Sequence, residues 1–347
     1  MIIIVIEEKI GLTELSFYLP GTYLRLKTIF LNDLLKDASG SNFPYKDKNF
    51  VESIGCSINQ TKKLSTTIYG WMKGYRVISL SRLIKINDLS KYSWKDIEKN
   101  LISIKTGIRN GEIKPNFPIK LDKKLGSIVG HILGDGSIEK RFHALFFSNS
   151  DIDLLKEFSQ NMEFIFGIKP RIWVQEKKLF HEGTKWLMKV DNLSKVPKGH
   201  CVGLFYPKIC SDFLYAICGK FAEGKRKKIT NQIKDMPKEF KIGLVRAFFD
   251  DEGSVRADNY ILRLHQDNKK LLEDIKKFLK ELGINSNPIR GYIKRDKIRY
   301  YFNITGFKEY YKFYNTLGCT SKKKCKEFEL LINKVENSKY FKKKHAL

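Results

Sequence analysis

GSIVGHILGDGSI, residues 126–138, and GLVRAFFDDEGSV, residues 243–255, each place an acid at the end of an apolar stretch. In the first, Ile128, Val129, Ile132 and Leu133 recur at helical spacing, and Gly136 has the place of a C-cap. The spacing predicts a helix over Leu125–Asp135 with the Asp135 carboxylate on its last turn, where the helix dipole disfavours negative charge. The second stretch predicts a helix over Ile242–Glu252 with Glu252 in the equivalent position. An acid in such a place calls for a partner of opposite sign.

The spacing of small residues says where that partner binds. Gly126, Gly130 and Gly134 recur every fourth residue and share one helix face, as do Gly243, Ala247 and Asp251. Small residues at this interval let two helix backbones approach closely. Packed side by side and parallel, the two helices bring Asp135 and Glu252 together, where they repel each other. A divalent cation reverses that sign, and oxygen donors of this kind suit Mg²⁺. Paired metals bridged to a phosphate perform phosphodiester hydrolysis. The alternative is a Gly-capped helix pair with two incidental surface acids, and its weakness is that the motif occurs twice, in register.

The surroundings repeat as well, 117 residues apart from Gly136 to Gly253. HALFFSNSD (143–151) corresponds to NYILRLHQDN (259–268), each a strand closing on a helix cap. DIDLLKEFSQNMEFIFGI and NKKLLEDIKKFLKELGI are the following helices. The strand pairs RIWVQEKK with KWLMKV, and PIRGYIKR with IRYYFNIT, come next, and helices around SDFLYAICG and FKEYYKFYNTLG close each unit. Each half thus reads as helix, two strands, helix, two strands, helix, and duplication of this kind implies pseudo-twofold symmetry.

The charge names the class of partner. Against 65 Lys and Arg stand 38 Asp and Glu, a formal net charge of +27 in 347 residues, which points to a polyanion and first to nucleic acid. A lysine-rich compositional bias is the alternative, but the charge is uneven. Residues 1–50 are neutral, whereas 51–120 carry 13 basic against 5 acidic groups. The six cysteines (56, 201, 210, 218, 319, 325) form no CxxC pair, so they read as buried or incidental thiols of a reducing compartment, and zinc is not expected. MIIIVI is too short for a signal segment and no run approaches a membrane span. The expectation is a soluble, cytoplasmic protein.

Residues 1–118 read as a small all-α region ending in a linker punctuated by Gly107, Gly111, Pro115 and Pro118. Within it, residues 50–90 have helix-turn-helix grammar: a short helix ending near Gly55, a second capped by Ser65 or Thr66, a stop at Gly74 and a supporting helix with Leu80, Leu83 and Ile84. Thr66, Thr67 and Tyr69 then lie at the start of the helix that enters a major groove. A plain helical bundle shares this pattern.

IVGHILGDG (128–136) and VRAFFDDEG (245–253) resemble the two motifs of a single-chain LAGLIDADG homing endonuclease of the DOD type, a likeness covering about residues 121–347. The resemblance implies an α+β fold of two pseudo-symmetric αββαββα halves, residues 119–236 and 237–347, forming a saddle whose sheets enter the DNA major groove. Carried over by position, it makes Asp135 and Glu252 the metal-binding acids for Mg²⁺ or another divalent ion such as Mn²⁺, with the Gly134 and Asp251 carbonyls as further ligands. It also implies a basic residue after the last helix of each half. Lys225 or Lys227, and Lys322 or Lys323, are the candidates, with Lys225 and Lys323 preferred as catalytic. Ala247 and Glu252 depart conservatively from the usual glycine and aspartate. His131 reads as a core histidine, and Asp250 and Asp251 as solvated or structural acids. Splicing activity is not expected, because the sequence begins Met1-Ile2 and ends His345-Ala346-Leu347.

The base-reading side chains follow from strand alternation. In the second half they are Arg263, His265, Arg290, Tyr292, Lys294, Arg299, Tyr301 and Asn303. In the first half they are Arg171, Trp173, Gln175, Lys177 and Lys189, with Lys185. The expected activity is site-specific, double-strand DNA cleavage by a monomer. The runner-up is a non-cleaving DNA-binding regulator or an RNA maturase on the same saddle, and a weaker rival is a single-strand RNA binder.

Overall fold

The computed structural model describes residues 9–16, 19, 21–106, 111–139, 144–175, 186–197, 199–224, 226–294 and 297–337. Its centre is a pair of helices, α1 (Lys123–Leu133) and α4 (Lys238–Glu252). Asp122 starts α1 by accepting the N–H groups of Lys124 at 2.9 Å and Leu125 at 3.2 Å. Every residue of α1 from Leu125 to Leu133 is buried, as expected of a helix covered on all sides.

The two helices run parallel, and their contact is backbone on backbone. A Cβ on Gly126 would overlap the Phe240 carbonyl, one on Gly130 the Leu244 carbonyl and one on Gly243 the Lys123 carbonyl, while one on Gly134 would fall 2.6 Å from the Asp251 Cβ. The small-residue stripe is therefore the reason the helices can meet. The expected helix bounds need one correction. α1 ends at Leu133, and Asp135 lies in the turn that follows, because Gly136 already pairs with Phe147 in a sheet. In α4, Glu252 is the last helical residue, as expected.

In the first half, β1 (Gly136–Ile138) and β2 (Leu145–Asn149) lead to α2 (Ile152–Phe166). β3 (Arg171–Gln175), β4 (Trp186–Val190) and β5 (Cys201–Tyr206) follow, and α3 (Lys208–Cys218) closes the unit. The sheet order is β4-β3-β5-β2-β1, antiparallel throughout. In the second half, β6 (Gly253–Arg256), β7 (Ile261–Gln266), α5 (Lys269–Glu281), β8 (Arg290–Lys294), β9 (Lys297–Ile304) and α6 (Phe307–Thr316) give the order β6-β7-β9-β8. The strand orders of the halves correspond except that the first carries β4 as an extra edge. β5, and not the KWLMKV strand, is thus the counterpart of β9. The run Cys201–Tyr206 is too uniformly apolar to show alternation. One further helix, α7 (Lys322–Glu336), packs on β6 after the second half.

The described residues up to 118 also differ from expectation: they are not all-α. A four-stranded antiparallel sheet of Ile78–Ser79, Thr22–Leu26, Leu101–Thr106 and Glu112–Ile113 supports the helices. Thr22, Leu24 and Leu26 turn inward while Tyr23 and Arg25 are half-exposed, a two-residue period that decides for strand. The segment read as helix-turn-helix holds three helices, Lys48–Ser53, Thr66–Met72 and Leu80–Asp88. Ser65 caps the second helix and is buried, Gly74 ends it at φ +75°, and Trp71 anchors it in the core. Cys319 and Cys325 form a disulfide, Cα–Cα 5.7 Å, which corrects the reading of six free thiols. The turn capped by Ser321 at the start of α7 brings the two together. Among the described residues no helix is long and apolar enough to cross a membrane.

Candidate functional site

The ends of α1 and α4 hold the two acids in matched settings. Asn149, the last residue of β2, donates through Nδ2 to Asp135 Oδ2 at 2.9 Å. Gln266, the last residue of β7, donates through Nε2 to Glu252 Oε1 at 2.8 Å. Both amides come from the sheet register: Gly136 pairs with Phe147 and Gly253 with Leu264, so each amide stands two residues further along the strand. Sequence reasoning missed both. Their separation equals that of Gly136 and Gly253, which was the available signal.

A lysine completes each setting. Lys227 donates its Nζ to the Gly134 carbonyl at the end of α1. Lys324 donates to the Phe249 carbonyl at 3.0 Å and to that of Asp250, both at the end of α4. Lys227 lies in a short hairpin nine residues past α3, and Lys324 on the first turn of α7, eight past α6. Of the candidates proposed after the second half, Lys323 and Lys322 are exposed, and Lys322 pairs with Asp153 at 3.6 Å. The lysine that reaches the end of α4 is one further on, Lys324, because Ser321 sets the phase of α7. Lys225 lies outside the described residues.

The charge state of the site is unusual. Protein packed around its carboxyl, then the charges of Asp251 and Glu252, push Asp135 up to about 8, with Lys227 and Lys324 opposing. Burial likewise raises Glu252, with Lys227 opposing. Burial lowers both lysines, and the acids counteract it. The negative charge gathered here is thus imperfectly neutralised by the protein alone. The oxygen donors are hard and of the type Mg²⁺ prefers. Among the described residues no three His, Cys, Asp or Glu side chains form a metal cage on their own, so a cation here would need carbonyl or phosphate oxygens besides the two acids.

Beneath the acids lies a buried polar network. His131, fully buried, faces Asp251 through Nδ1 at 3.0 and 3.2 Å and has Nε2 3.8 Å from Glu157. Burial alone would lower its pKa, but the Asp251 and Glu157 carboxylates hold it up at about 10. Glu157 on α2 also takes Ser127 Oγ at 3.0 Å, Thr320 Oγ1 at 2.5 Å and the Arg246 guanidinium. Despite burial, the His131 ring 3.8 Å away and the charge of Arg246 hold its carboxyl down at about 2. Asp250 accepts the Thr320 N–H at 2.9 Å and is 2 % exposed. His131 lies in the core as expected. The side chains of Asp250 and Asp251 are buried rather than solvated.

The two sheets present the remaining candidates. In the second half, register places Arg263, His265, Asn303, Tyr301, Arg299, Arg290, Tyr292 and Lys294 on one face, opposite Leu262, Leu264, Phe302 and Ile304 in the core. Arg263 Nε donates to Asn303 Oδ1 at 2.9 Å and its guanidinium lies 4.2 Å from the Tyr301 ring centre. Arg299 pairs with Asp267 at 2.9 Å. The side chain of Lys294 is outside what is described. In the first half, Arg171 and Lys189 are exposed and Trp173 is half-buried, with Trp173 opposite both Lys189 and Gly203. Gln175 is a correction: it shares the face of Arg171 and Trp173, but its side chain is buried at 7 % rather than exposed. Lys177 and Lys185 fall outside the described residues. In the front part, Thr66 and Tyr69 are exposed, while Thr67 accepts from Arg76 at 3.3 Å.

Residues 239–318 match the family model of the LAGLIDADG-like domain. Two curated relatives are archaeal. The chain is 25% identical over 236 residues to the DNA-directed RNA polymerase subunit Rpo1C of Methanocaldococcus jannaschii, covering 67% of this chain and 23% of that subunit. It is 25% identical over 217 residues to subunit Rpo1N of the same organism, covering 56% of this chain and 16% of that subunit. The chain thus spans less than a quarter of the length of these relatives. Similar solved structures include mesophilic variants of the homing endonuclease I-DmoI (TM-score 0.39, 17% identity, 57% of this chain and 96% of that one). Another is full-length DUF199/WhiA from Thermatoga maritima (TM-score 0.38, 16% identity, 62% of this chain and 61% of that one).

Proposed function

We propose that this chain, which carries a LAGLIDADG-like domain at residues 239–318, is a divalent-metal-dependent endonuclease that cuts both strands of a specific DNA duplex. The observation that carries the reading is the duplicated setting at the parallel helix ends: an acid, a strand-borne amide and a lysine, twice, with the acids crowded against each other. A structural helix pair has no use for two such sets.

Asp135 and Glu252 would hold the cations, with the carbonyl of Asp251, that of Gly134 once released by Lys227, and oxygens of the scissile phosphates as further donors. Bound there, Mg²⁺ or Mn²⁺ supplies Lewis-acid stabilisation of the phosphate and a water activated for attack. Asn149 and Gln266 orient the carboxylates. Lys227 and Lys324 set positive charge beside the helix ends, where negative charge develops on the phosphate in the transition state. Their lowered pKa values also suit them to proton transfer nearer neutral pH. The polar face of β6–β9 reads base edges through Arg263, Asn303, Arg290 and Arg299, and Arg171, Trp173 and Lys189 serve the other half-site. The front helix bearing Thr66, Thr67 and Tyr69 contacts flanking duplex. The protein acts as a monomer, the second half standing in for a partner.

The test is salt-titrated binding to duplex DNA and to folded RNA, followed by Mg²⁺. Tighter duplex binding with a steep salt slope, then cutting, is the expected result. Duplex binding without cutting would replace the reading with a non-cleaving regulator, and preference for folded RNA would replace it with a maturase.

A further inference from the structure

The pseudo-twofold symmetry is also broken beneath the acids. Asp251 Oδ2 lies 3.4 Å from the backbone N–H of Asp135, and Asp251 Oδ1 takes Asn149 Nδ2 at 3.4 Å, the same amide that holds the Asp135 carboxylate at 2.9 Å. Asp251 is itself fixed from below by His131 and packed against Gly134. Behind His131 stands Glu157, locked by Ser127, Thr320 and Arg246. A continuous line of contacts therefore runs from the core to Asp135.

Nothing equivalent serves Glu252 among the described residues. In the repeat register set by Gly136 and Gly253, the counterpart of His131 is Phe248 and the counterpart of Asp251 is Gly134. Phe248 is fully buried and carries no polar atom. Glu252 keeps only the Gln266 amide from its own sheet.

We infer that His131 and Asp251 are positioning residues for Asp135 alone, and that this one-sided latch makes the two strand cuts unequally sensitive to the core. The inference rests on the nuclease reading and deepens it. Removing Asp251's side chain leaves its backbone carbonyl in place, frees the Asp135 turn and deprives Asn149 of its second acceptor. Removing His131 strands the Asp251 carboxylate beside two other acids, where repulsion displaces it. Either change loosens the oxygen set at one scissile phosphate and leaves the other. Loose placement of reacting groups costs rate steeply.

The experiment uses a duplex holding the cleaved site, end-labelled on each strand in turn, with Mg²⁺ and saturating protein. In Asp251→Ala and in His131→Phe, which installs the residue found in the second motif, one strand should slow about tenfold or more, which is about 1.4 kcal/mol on one barrier. The other strand should keep its rate, nicked duplex should accumulate, and the slowed strand should be the same in both variants. His131→Gln, which still offers a donor, should recover part of the rate. Because a single change can unfold the core by stranding a charge, the pair His131→Phe/Asp251→Ala removes both partners together and should show the same strand bias. Equal slowing of both strands, or no slowing, would overturn the latch. If the unaltered protein cuts neither strand, the nuclease reading fails, and the latch is decided in the free protein. There the Asp135 amide should lose hydrogen-exchange protection in Asp251→Ala while that of Glu252 does not. Unchanged exchange at Asp135 would overturn it.

Discussion

Gly130 sits so close to Leu244 that a Cβ on it would overlap the Leu244 carbonyl and stand 2.9 Å from the Ala247 Cβ. The contact is made by backbone, which cannot rotate away. Gly130→Leu should therefore destabilise the protein by about 3 kcal/mol or more, the upper range for overpacked cores. Cutting should be lost as well, because relief requires α1 and α4 to part and carries Asp135 from Glu252. Denaturant unfolding alongside a cleavage assay checks both. A stable, active Gly130→Leu protein would contradict the helix pairing as the basis of the site.

Asp135→Asn and Glu252→Gln should each abolish cutting while duplex affinity stays within roughly threefold, since the base-reading face is on the sheets. The metal-free Asp135→Asn protein should also melt no lower than the unaltered one at pH 8, because it loses a charge held against Asp251 and Glu252. Binding isotherms, cleavage and thermal melts decide this, and a cutting Asp135→Asn variant would remove Asp135 from the site.

Stability should fall with rising pH in the absence of metal. Asp135 titrates at about 8 in the folded protein, against about 3.9 in an unfolded chain. The folded state binds the extra proton between those values, so that stability is lost as pH climbs through them. His131, held up at about 10, adds a contribution that is complete below about 6.5 and is lost as pH rises toward 10. Both act in the same direction. Melting temperature should drop from pH 6 to pH 9, and Mg²⁺ or Mn²⁺ at pH 8 should restore part of it by neutralising Asp135. A melting temperature that rises over this range would contradict the charge assignment.

Lys324→Met and Lys227→Met should slow cutting by about tenfold or more with little loss of binding, consistent with removing a charge aimed at the transition state. Lys323→Met, at an exposed position, should leave the rate unchanged. Single-turnover kinetics at saturating protein separates the three.

Tyr69→Ala and Thr66→Ala in the front helix should weaken duplex binding several-fold without changing the cutting rate of bound DNA, whereas Arg263→Ala should relax base preference at one position, at about 1–3 kcal/mol. Selection of cleaved sites with each variant distinguishes the two effects.

The two motifs were legible because their signals are local. Glycines at every fourth residue, the acids after them and the strand alternation of 290–294 and 297–304 all appear in a few consecutive residues, and the structure places them as read except that Asp135 lies just past the helix end. What escaped was set by register or by distant packing. Asn149 and Gln266 reach the acids only through strand pairing, and Lys324 rather than Lys323 arrives because of the phase of α7. Glu157, Arg246 and Thr320 meet across the two halves, which no local pattern records. β5 hid in an apolar run, and the short strands at Ile78–Ser79 and Glu112–Ile113, two residues each, carry too little sequence to show a period. Gln175 read as exposed because alternation gives the face of a strand, not the element that covers it.

The most direct test of the paired acids as a nuclease centre is end-sequencing of a randomised or genomic duplex pool after incubation with the protein and Mg²⁺. The account predicts double-strand ends at one defined sequence, absent with EDTA and absent for Asp135→Asn and Glu252→Gln. A pool left intact by folded, duplex-bound protein, or cut equally well by those two variants, would contradict it.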